Sequence, residues 1–200
     1  MGLRQPQRPT ADEALQTLKD GNARFVAGKL EHPNHCEESR QSLATGQEPI
    51  ATILSCADSR VPPVDIFDQG LGDLFVVRVA GNVIGDHTLG SIEYAVKHLH
   101  TPLVIVMGHS KCGAITAVAS GVFLEGHIAS IGPAIQTAIK DVKHLEGDLI
   151  TNASKALARQ ISKKITESEP IIADMVKNGK VIITPAYYDI DSGVVRFLEP

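Results

Sequence analysis

Two short stretches of the sequence carry an unusual density of reactive side chains: residues 55–60 (SCADSR) and residues 108–113 (GHSKCG). In the second stretch, His109 and Cys112 form a His-x-x-Cys pair that can aim an imidazole and a thiolate at one point. Cys56, in the first stretch, can supply a second thiolate. Two sulfurs and one nitrogen suit zinc, and three protein ligands leave the fourth tetrahedral position open, as in catalytic zinc sites.

The same residues also have a structural interpretation that needs no metal. Unliganded cysteines are among the most buried residues, so Cys56 and Cys112 can be small core hydrophobes and His109 a hydrogen-bonded core histidine. That interpretation explains poorly why Asp58 and Arg60, both costly to bury, flank Cys56 at the end of a strand. We expect these two charges to pair with each other.

The elements that would position these side chains follow from the hydrophobic pattern. Two helical patterns, residues 88–99 and 114–120, alternate with β-type runs in the order expected of a parallel sheet. The runs do not alternate with polar residues, which suits strands buried on both faces; they cover residues 50–54, 74–79 and 103–107. Because the carboxyl ends of parallel strands meet at one edge, this fold would bring Cys56 to His109 and Cys112.

The two ends of the chain carry clear helix and turn signals. Residues 10–13 match a capping box that begins an amphipathic helix running to Gly28, and its apolar stripe can cover either its own core or a second subunit. Toward the C-terminus, helical patterns at 128–145 and 154–178 precede the last strands, and Pro170 breaks the second pattern. The strands, 181–186 and 194–198, are joined by a hairpin-type turn at residues 191–193.

Composition and charge narrow the class of protein. The chain has 200 residues, of which 43% are hydrophobic, so it can bury the core of one α/β domain. We divide residues 1–200 into a helical arm (1–45) and an α/β core (46–200) with a mostly parallel central sheet, flanking helices and an antiparallel C-terminal edge strand. A net charge of −4 without basic clusters argues against nucleic acid as a partner.

The hydrophobic runs and the cysteines indicate the compartment. No apolar run approaches the roughly 20 residues that span a bilayer, and the N-terminus lacks a signal-peptide pattern, so we expect no membrane partner and a cytoplasmic location. The chain has three cysteines, an odd number that cannot all pair within one chain, and two of them lie among other reactive side chains. Both facts favour metal binding or catalysis over disulfides. Cys36, in a polar loop, is expected to be a free surface thiol.

The motif Cys56-x-Asp58-x-Arg60 followed by His109-x-x-Cys112 resembles that of the β-class carbonic anhydrases. The resemblance continues through residues 72–78, 80–82 and 90–95 and is strong over about residues 45–120. It implies that Zn²⁺ is bound by the two cysteines and the histidine. It also implies that Asp58 either takes the fourth position in a closed form or pairs with Arg60 in an open one.

The activity implied by this resemblance is the reversible hydration of carbon dioxide to bicarbonate, in which a zinc-bound hydroxide attacks the carbon. Asp58, held by Arg60, would accept a hydrogen bond from that hydroxide. The resemblance further places Gln47, Phe75 and Tyr94 at the substrate cleft, with the Gly113 amide assisting. Without the resemblance, Phe75 and Tyr94 would be assigned to packing and Gln47 to a solvated loop.

In this family the cleft lies between subunits, so a homodimer or homotetramer is implied and a dimer is the minimal active unit. Some bacterial members carry a tryptophan where this chain has Ile53, which with the arginine matching Arg78 forms an inhibitory bicarbonate site. Arg78 is therefore expected to be structural here. Two alternatives stay open: a carbonyl sulfide or carbon disulfide hydrolase with the same metal ligands, and a non-catalytic zinc-binding or thiol-regulatory protein.

Overall fold

The computed structural model describes residues 8–199 of the chain, which form a five-stranded sheet flanked by helices. The strands are β1 (Ala51–Ser55), β2 (Leu74–Arg78), β3 (Leu103–His109), β4 (Ile182–Tyr188) and β5 (Val195–Phe197). The α-helices are α1 (Ala11–Ala27), α2 (Glu37–Ser42), α3 (Pro63–Ile66), α4 (Asp86–His98), α5 (Gly113–Ala119), α6 (Gly132–Val142), α7 (Leu149–Thr166) and α8 (Ile171–Lys177).

The sheet has the strand order β2-β1-β3-β4-β5. All neighbouring strands are parallel except β4 and β5, which form an antiparallel pair at one edge. The turn between these two is closed by hydrogen bonds between Asp189 and residues 193–194, with Gly193 at a φ of 75°. The predicted α/β architecture with an antiparallel C-terminal edge strand is confirmed.

The unalternating sequence of β3 is explained by helices on both faces of the sheet. Every residue of β3 is buried. Val104 and Val106 point into one apolar cluster, which includes residues of α4 to α8, whereas Ile105 and Met107 point into a second cluster built with α1 and α3. Because successive side chains of a strand face opposite sides, both sets must be apolar.

Helix α1 begins with the predicted capping box: the Thr10 hydroxyl accepts a hydrogen bond from the Glu13 amide, and the Glu13 carboxylate accepts one from the Thr10 amide. Ala14 and Leu18 on its apolar stripe are fully buried in the second cluster, together with Phe67. This part of the stripe therefore covers the chain's own core. The role of residues 1–45 as an arm stays a prediction, and residues 1–7 lie outside the described residues.

Several elements differ from the pattern in the sequence. Strand β3 runs two residues past the predicted end because Gly108 and His109 pair with β4. The predicted helix at 128–145 begins as a 3-10 turn, Gly126–Ile131, before α6. The short helices α2 and α3 have no counterpart among the predicted elements, since four to six residues are too few to show helical periodicity.

Among residues 8–199, no helix combines the length and the apolar character needed to cross a membrane.

Candidate metal centre

The fold brings the two reactive stretches together at one edge of the sheet. Cys56 directly follows β1, His109 is the last residue of β3, and Cys112 is the N-cap of α5. Strands β1 and β3 are neighbours, and the chain leaves β1 toward β2 on one side before crossing to β3 on the other. Such a reversal in strand order opens a crevice beyond the carboxyl ends of the strands, where ligands bind.

The three side chains form a compact donor cluster. The sulfurs of Cys56 and Cys112 and a ring nitrogen of His109 all lie within 4.8 Å of one another. All three residues are at least 95% buried. The Gly81 amide donates a hydrogen bond to Cys56 Sγ at 3.2 Å, which favours the thiolate form.

The orientation of His109 leaves one ring nitrogen free for a ligand. Its Nδ1 lies 2.8 Å from the carbonyl oxygen of Ser110. Because a carbonyl only accepts hydrogen bonds, Nδ1 carries the proton and Nε2 keeps its lone pair. Nε2 is buried and has no hydrogen-bond partner among the described residues, an uncommon arrangement for a buried polar atom that a metal would explain.

The two thiols share their protons unequally. A hydrogen bond from Cys112 lowers the pKa of Cys56 to about 4, outweighing burial, which acts in the opposite direction. The same interaction, together with burial, raises the pKa of Cys112 above its ordinary value. The hydrogen bond between the two thiols therefore favours ionisation of Cys56, and a divalent cation would favour the thiolate form of both.

Asp58 lies outside this cluster and is bound by Arg60. The guanidinium donates from Nε to Asp58 Oδ1 at 3.0 Å and from a terminal nitrogen to Oδ2 at 2.7 Å, and the Arg60 amide donates to Oδ1 at 2.9 Å. The guanidinium hydrogen bonds lower the pKa of Asp58 to about 2, so the carboxylate is ionised at neutral pH. Asp58 and Arg60 form the expected ion pair.

Two arginines fasten the loop that carries Cys56. Arg60 also donates to the carbonyl of Lys111 at 3.2 Å, which joins this loop to the one between His109 and Cys112. Arg78, at the end of β2, donates to the carbonyl of Cys56 at 3.0 Å and to that of Asp58 at 2.5 Å. These contacts support the structural role expected of Arg78.

The donor set fits a zinc ion. Two buried sulfurs and one unprotonated imidazole nitrogen are ligands that zinc prefers, and no carboxylate belongs to the group. Two thiolates and a dication are together formally neutral, so the buried site would not hold an uncompensated charge.

The residues predicted for the cleft are divided between two regions. Gly113 follows Cys112 and lies beside the cluster. Phe75 pairs with Thr52 in the sheet, four residues or about 13 Å along the strand before Cys56, and its ring centroid is 6.2 Å from that of Tyr94. Gln47 is exposed in the loop that enters β1 from the opposite end, where it lines an open cavity of about 490 Å³.

Several participants in this site act through backbone atoms and were missed by the sequence analysis. They are the Gly81 amide, which contacts Cys56, and the carbonyls of Ser110 and Lys111, which contact His109 and Arg60. Gly81 lies within the family-like residues 80–82, and its φ of 68° marks a backbone position that favours glycine. Residue type gives no comparable signal for the two carbonyls.

Known proteins with the same features are carbonic anhydrases. A family model described as carbonic anhydrase matches residues 51–195. Carbonic anhydrase 2 of Mycobacterium tuberculosis is 38% identical over 187 residues, covering 90% of this chain and 89% of that protein. A carbonic anhydrase of Mycolicibacterium smegmatis is 54% identical over 117 residues, covering 58% and 56%.

A solved structure extends this similarity to the fold. The β-carbonic anhydrase CafA of Aspergillus fumigatus has a TM-score of 0.73 to this chain at 28% identity, over 94% of this chain and 92% of that one. The family match covers both loops of the donor cluster and all five strands up to the first residue of β5. The chain therefore belongs to the carbonic anhydrase family, in its β class.

Proposed function

We propose that this enzyme catalyses the reversible hydration of carbon dioxide to bicarbonate and a proton, with zinc bound by Cys56, His109 and Cys112. The observation that carries this proposal is the buried donor cluster with an ionised carboxylate, Asp58, held beside it by Arg60. A zinc ion at these ligands would act as a Lewis acid that makes water a nucleophile near neutral pH.

The residues of the chain would orient the reactants. Asp58 is ionised and its carboxylate is fixed by two guanidinium hydrogen bonds, so an oxygen of this carboxylate can accept a hydrogen bond from the attacking water and direct a lone pair toward carbon dioxide. Arg60 keeps the carboxylate out of the ligand position by binding it. The Gly113 amide, at the start of α5, would donate to an oxygen of bicarbonate.

The cleft residues point to an active unit of at least two chains. Gln47 and Phe75 lie toward the end of β1 that is remote from Cys56, so within one chain they do not reach the donor cluster. Tyr94 packs near Phe75 and is half-exposed, which leaves its ring open to a neighbouring subunit. We infer that Gln47, Phe75 and Tyr94 complete the site of a neighbouring subunit in a homodimer or homotetramer.

The pH dependence of turnover tests this proposal. The pKa of Asp58 is about 2, so this group does not titrate between pH 5 and 9 and does not cause a rise in rate over that range, whereas deprotonation of the attacking water would. We expect carbon dioxide hydration, measured by stopped flow with buffer in excess, to rise with pH to a plateau. A flat profile would contradict the proposal.

The substrate is tested in the same preparation. No observation favours carbonyl sulfide, carbon disulfide or a non-catalytic role over carbon dioxide. Turnover of carbon dioxide should exceed that of carbonyl sulfide when both are offered to the zinc-loaded protein, and the reverse order would assign the alternative substrate. A cytoplasmic location stays a prediction from the sequence.

A further inference from the structure

We propose that Ser110 is a positioning residue for His109: its hydroxyl fastens the loop between His109 and Cys112 to the β4–β5 hairpin and thereby holds the imidazole in the tautomer and orientation that bind metal. This inference rests on the zinc site proposed above. It assigns a function in metal retention to the C-terminal hairpin, which supplies no ligand.

The carbonyl of Ser110 orients the ring of His109. It accepts the proton of His109 Nδ1 at 2.8 Å and so leaves Nε2, which is buried, as the free donor atom. A hydrogen bond to the second ring nitrogen fixes the tautomer and orientation of a metal-binding histidine. A contact that fixes the position of the Ser110 carbonyl therefore also fixes the orientation of His109.

Ser110 is hydrogen-bonded to the hairpin at two points. It is 6% exposed, its amide donates to the carbonyl of Tyr188 at 2.9 Å, and its hydroxyl accepts a hydrogen bond from the Ile190 amide at 2.9 Å. The first bond is made by the backbone and is available to every residue except proline. The second depends on the hydroxyl and is the only hydrogen bond of the Ser110 side chain among the described residues.

The β4–β5 hairpin is held in place by hydrogen bonds within its turn and to α1, so it can support the loop. Asp189 accepts hydrogen bonds from the amide and the hydroxyl of Ser192 inside the turn. From α1, the side chain of Asn22 donates to the carbonyl of Gly193 and accepts from the amide of Val195, at 2.9 Å in both cases. These bonds connect Ser110 through the hairpin to the core of the second apolar cluster.

The loop between His109 and Cys112, called the metal loop below, needs such support because its backbone is strained. Lys111 has a φ of 55°, a left-handed conformation that a non-glycine residue adopts only when its surroundings enforce it. The ion pair between Lys111 and Asp191, at 2.6 Å, also links loop and hairpin, but both side chains are more than half exposed. Exposed ion pairs stabilise little, so the buried Ser110 hydroxyl is the stronger of these two side-chain links between the loop and the hairpin.

Release of zinc from the loaded protein to a coloured chelator tests the inference. Removing a group that orients a metal ligand lowers metal affinity by about 10 to 100-fold. We expect Ser110→Ala to release zinc about 10-fold faster than the wild type, and Ser110→Thr, which keeps a hydroxyl, to stay within about 2-fold of it.

A matched control separates positioning from general loss of stability. Thr52 and Thr101 share one buried hydroxyl hydrogen bond at 2.9 Å, at the other end of the sheet. Thr101→Val removes a bond of the same kind far from the metal loop, and should lower the melting temperature without changing zinc release. Equal acceleration in Thr101→Val and Ser110→Ala would overturn the inference.

Zinc release and zinc binding together distinguish failure of the Ser110 inference from failure of the proposed zinc site. Release from Ser110→Ala at the wild-type rate refutes the inference while leaving the zinc site intact, whereas a wild-type protein that binds no zinc refutes the proposed function itself. If Ser110→Ala does not fold, Asp189→Ala loosens the hairpin turn from outside the loop. Faster zinc release in that variant supports the inference, and an unchanged rate contradicts it.

Discussion

At the scale of single residues, the chemistry of the site depends on the partner of Asp58. Arg60 binds both carboxylate oxygens and keeps the pKa of Asp58 near 2, so the carboxylate remains an acceptor throughout the physiological range. Because Asp58 lies two residues after Cys56, the same short loop supplies a candidate metal ligand and the carboxylate that is proposed to orient the attacking water. A neutral side chain at this position should separate metal binding from turnover.

Asp58→Asn is therefore expected to bind zinc as the wild type does but to lose turnover by about 100-fold, since positioned acid–base groups contribute about 10² to 10⁴ in rate. The measurement is metal analysis and carbon dioxide hydration on the same sample. Ser59→Ala, at the exposed neighbouring position, is the control and should retain full activity. Full turnover in Asp58→Asn would remove Asp58 from the mechanism.

The sequence predicts the residues of this site that act through side chains. Cys56, His109 and Cys112 are recognisable because cysteine and histidine are uncommon donors and all three lie at or just after the end of a buried strand. The carbonyls of Ser110 and Lys111 are not recognisable, since every residue has a carbonyl and only the folded loop shows which one is used. Backbone participants become visible only where they demand a special residue, as at Gly81.

At the scale of elements, a buried carboxylate connects α1 to the sheet. Asp68 follows α3, is 1% exposed, and accepts hydrogen bonds from Arg24 of α1 at 2.5 Å and from the amides of Glu31 and His32. Burial acts to raise the pKa of Asp68, but these hydrogen bonds together hold it below its ordinary value. The carboxylate thus fixes the segment after α1 against the loop after α3.

Asp68→Asn should destabilise the protein by about 3 kcal/mol at pH 7, because it leaves Arg24 without its buried partner. A lowered folded-state pKa gives stability that is present above the unfolded pKa of about 4 and is lost as pH falls toward the folded value. The difference in unfolding free energy between wild type and variant should therefore be largest near neutral pH and shrink below about pH 4. Denaturant titrations from pH 7 to pH 3 measure it.

Asp65→Asn is the control for this prediction. Asp65 is exposed in the preceding helix and makes no side-chain hydrogen bond among the described residues. Its substitution should leave both the stability at pH 7 and its pH dependence unchanged. A pH-independent difference between wild type and Asp68→Asn would show that Asp68 acts through packing rather than charge.

Elements with strong periodicity are predicted well by the sequence, and their ends less so. Strands β1 to β3 and the break at Pro170 are predicted because buried runs and proline act locally. The extension of β3 through His109 depends on pairing with β4, about 80 residues later in the chain, and no local pattern encodes it. That extension matters, because it places a candidate ligand on a fixed strand rather than in a loop.

At the scale of the whole molecule, the candidate site is divided between two regions of each chain. The donor cluster lies beyond the carboxyl ends of β1 and β3, and Gln47 and Phe75, the residues proposed for the cleft, lie toward the other end of β1. If a neighbouring subunit completes each site, two variants that are defective in different regions can restore one another. Two variants defective in the same region cannot.

Cys56→Ser and Gln47→Ala should therefore be inactive alone and active when co-expressed. Random pairing in a symmetric dimer makes half of the dimers mixed, and each mixed dimer has one intact site, so about a quarter of wild-type turnover is expected. Cys56→Ser combined with His109→Asn serves as the control and should restore nothing. Activity of the first mixture no higher than the mean of its separate components would contradict a shared site.

The central claim is that Cys56, His109 and Cys112 hold a zinc ion that hydrates carbon dioxide. The most direct test is a zinc count and a carbon dioxide hydration assay on one purified sample of the full chain, beside Cys56→Ser. If zinc is held as claimed, the wild-type chain binds one zinc and hydrates carbon dioxide at alkaline pH, and Cys56→Ser does neither. Stoichiometric zinc without hydration from neutral to alkaline pH, or hydration undiminished in Cys56→Ser, would contradict the claim.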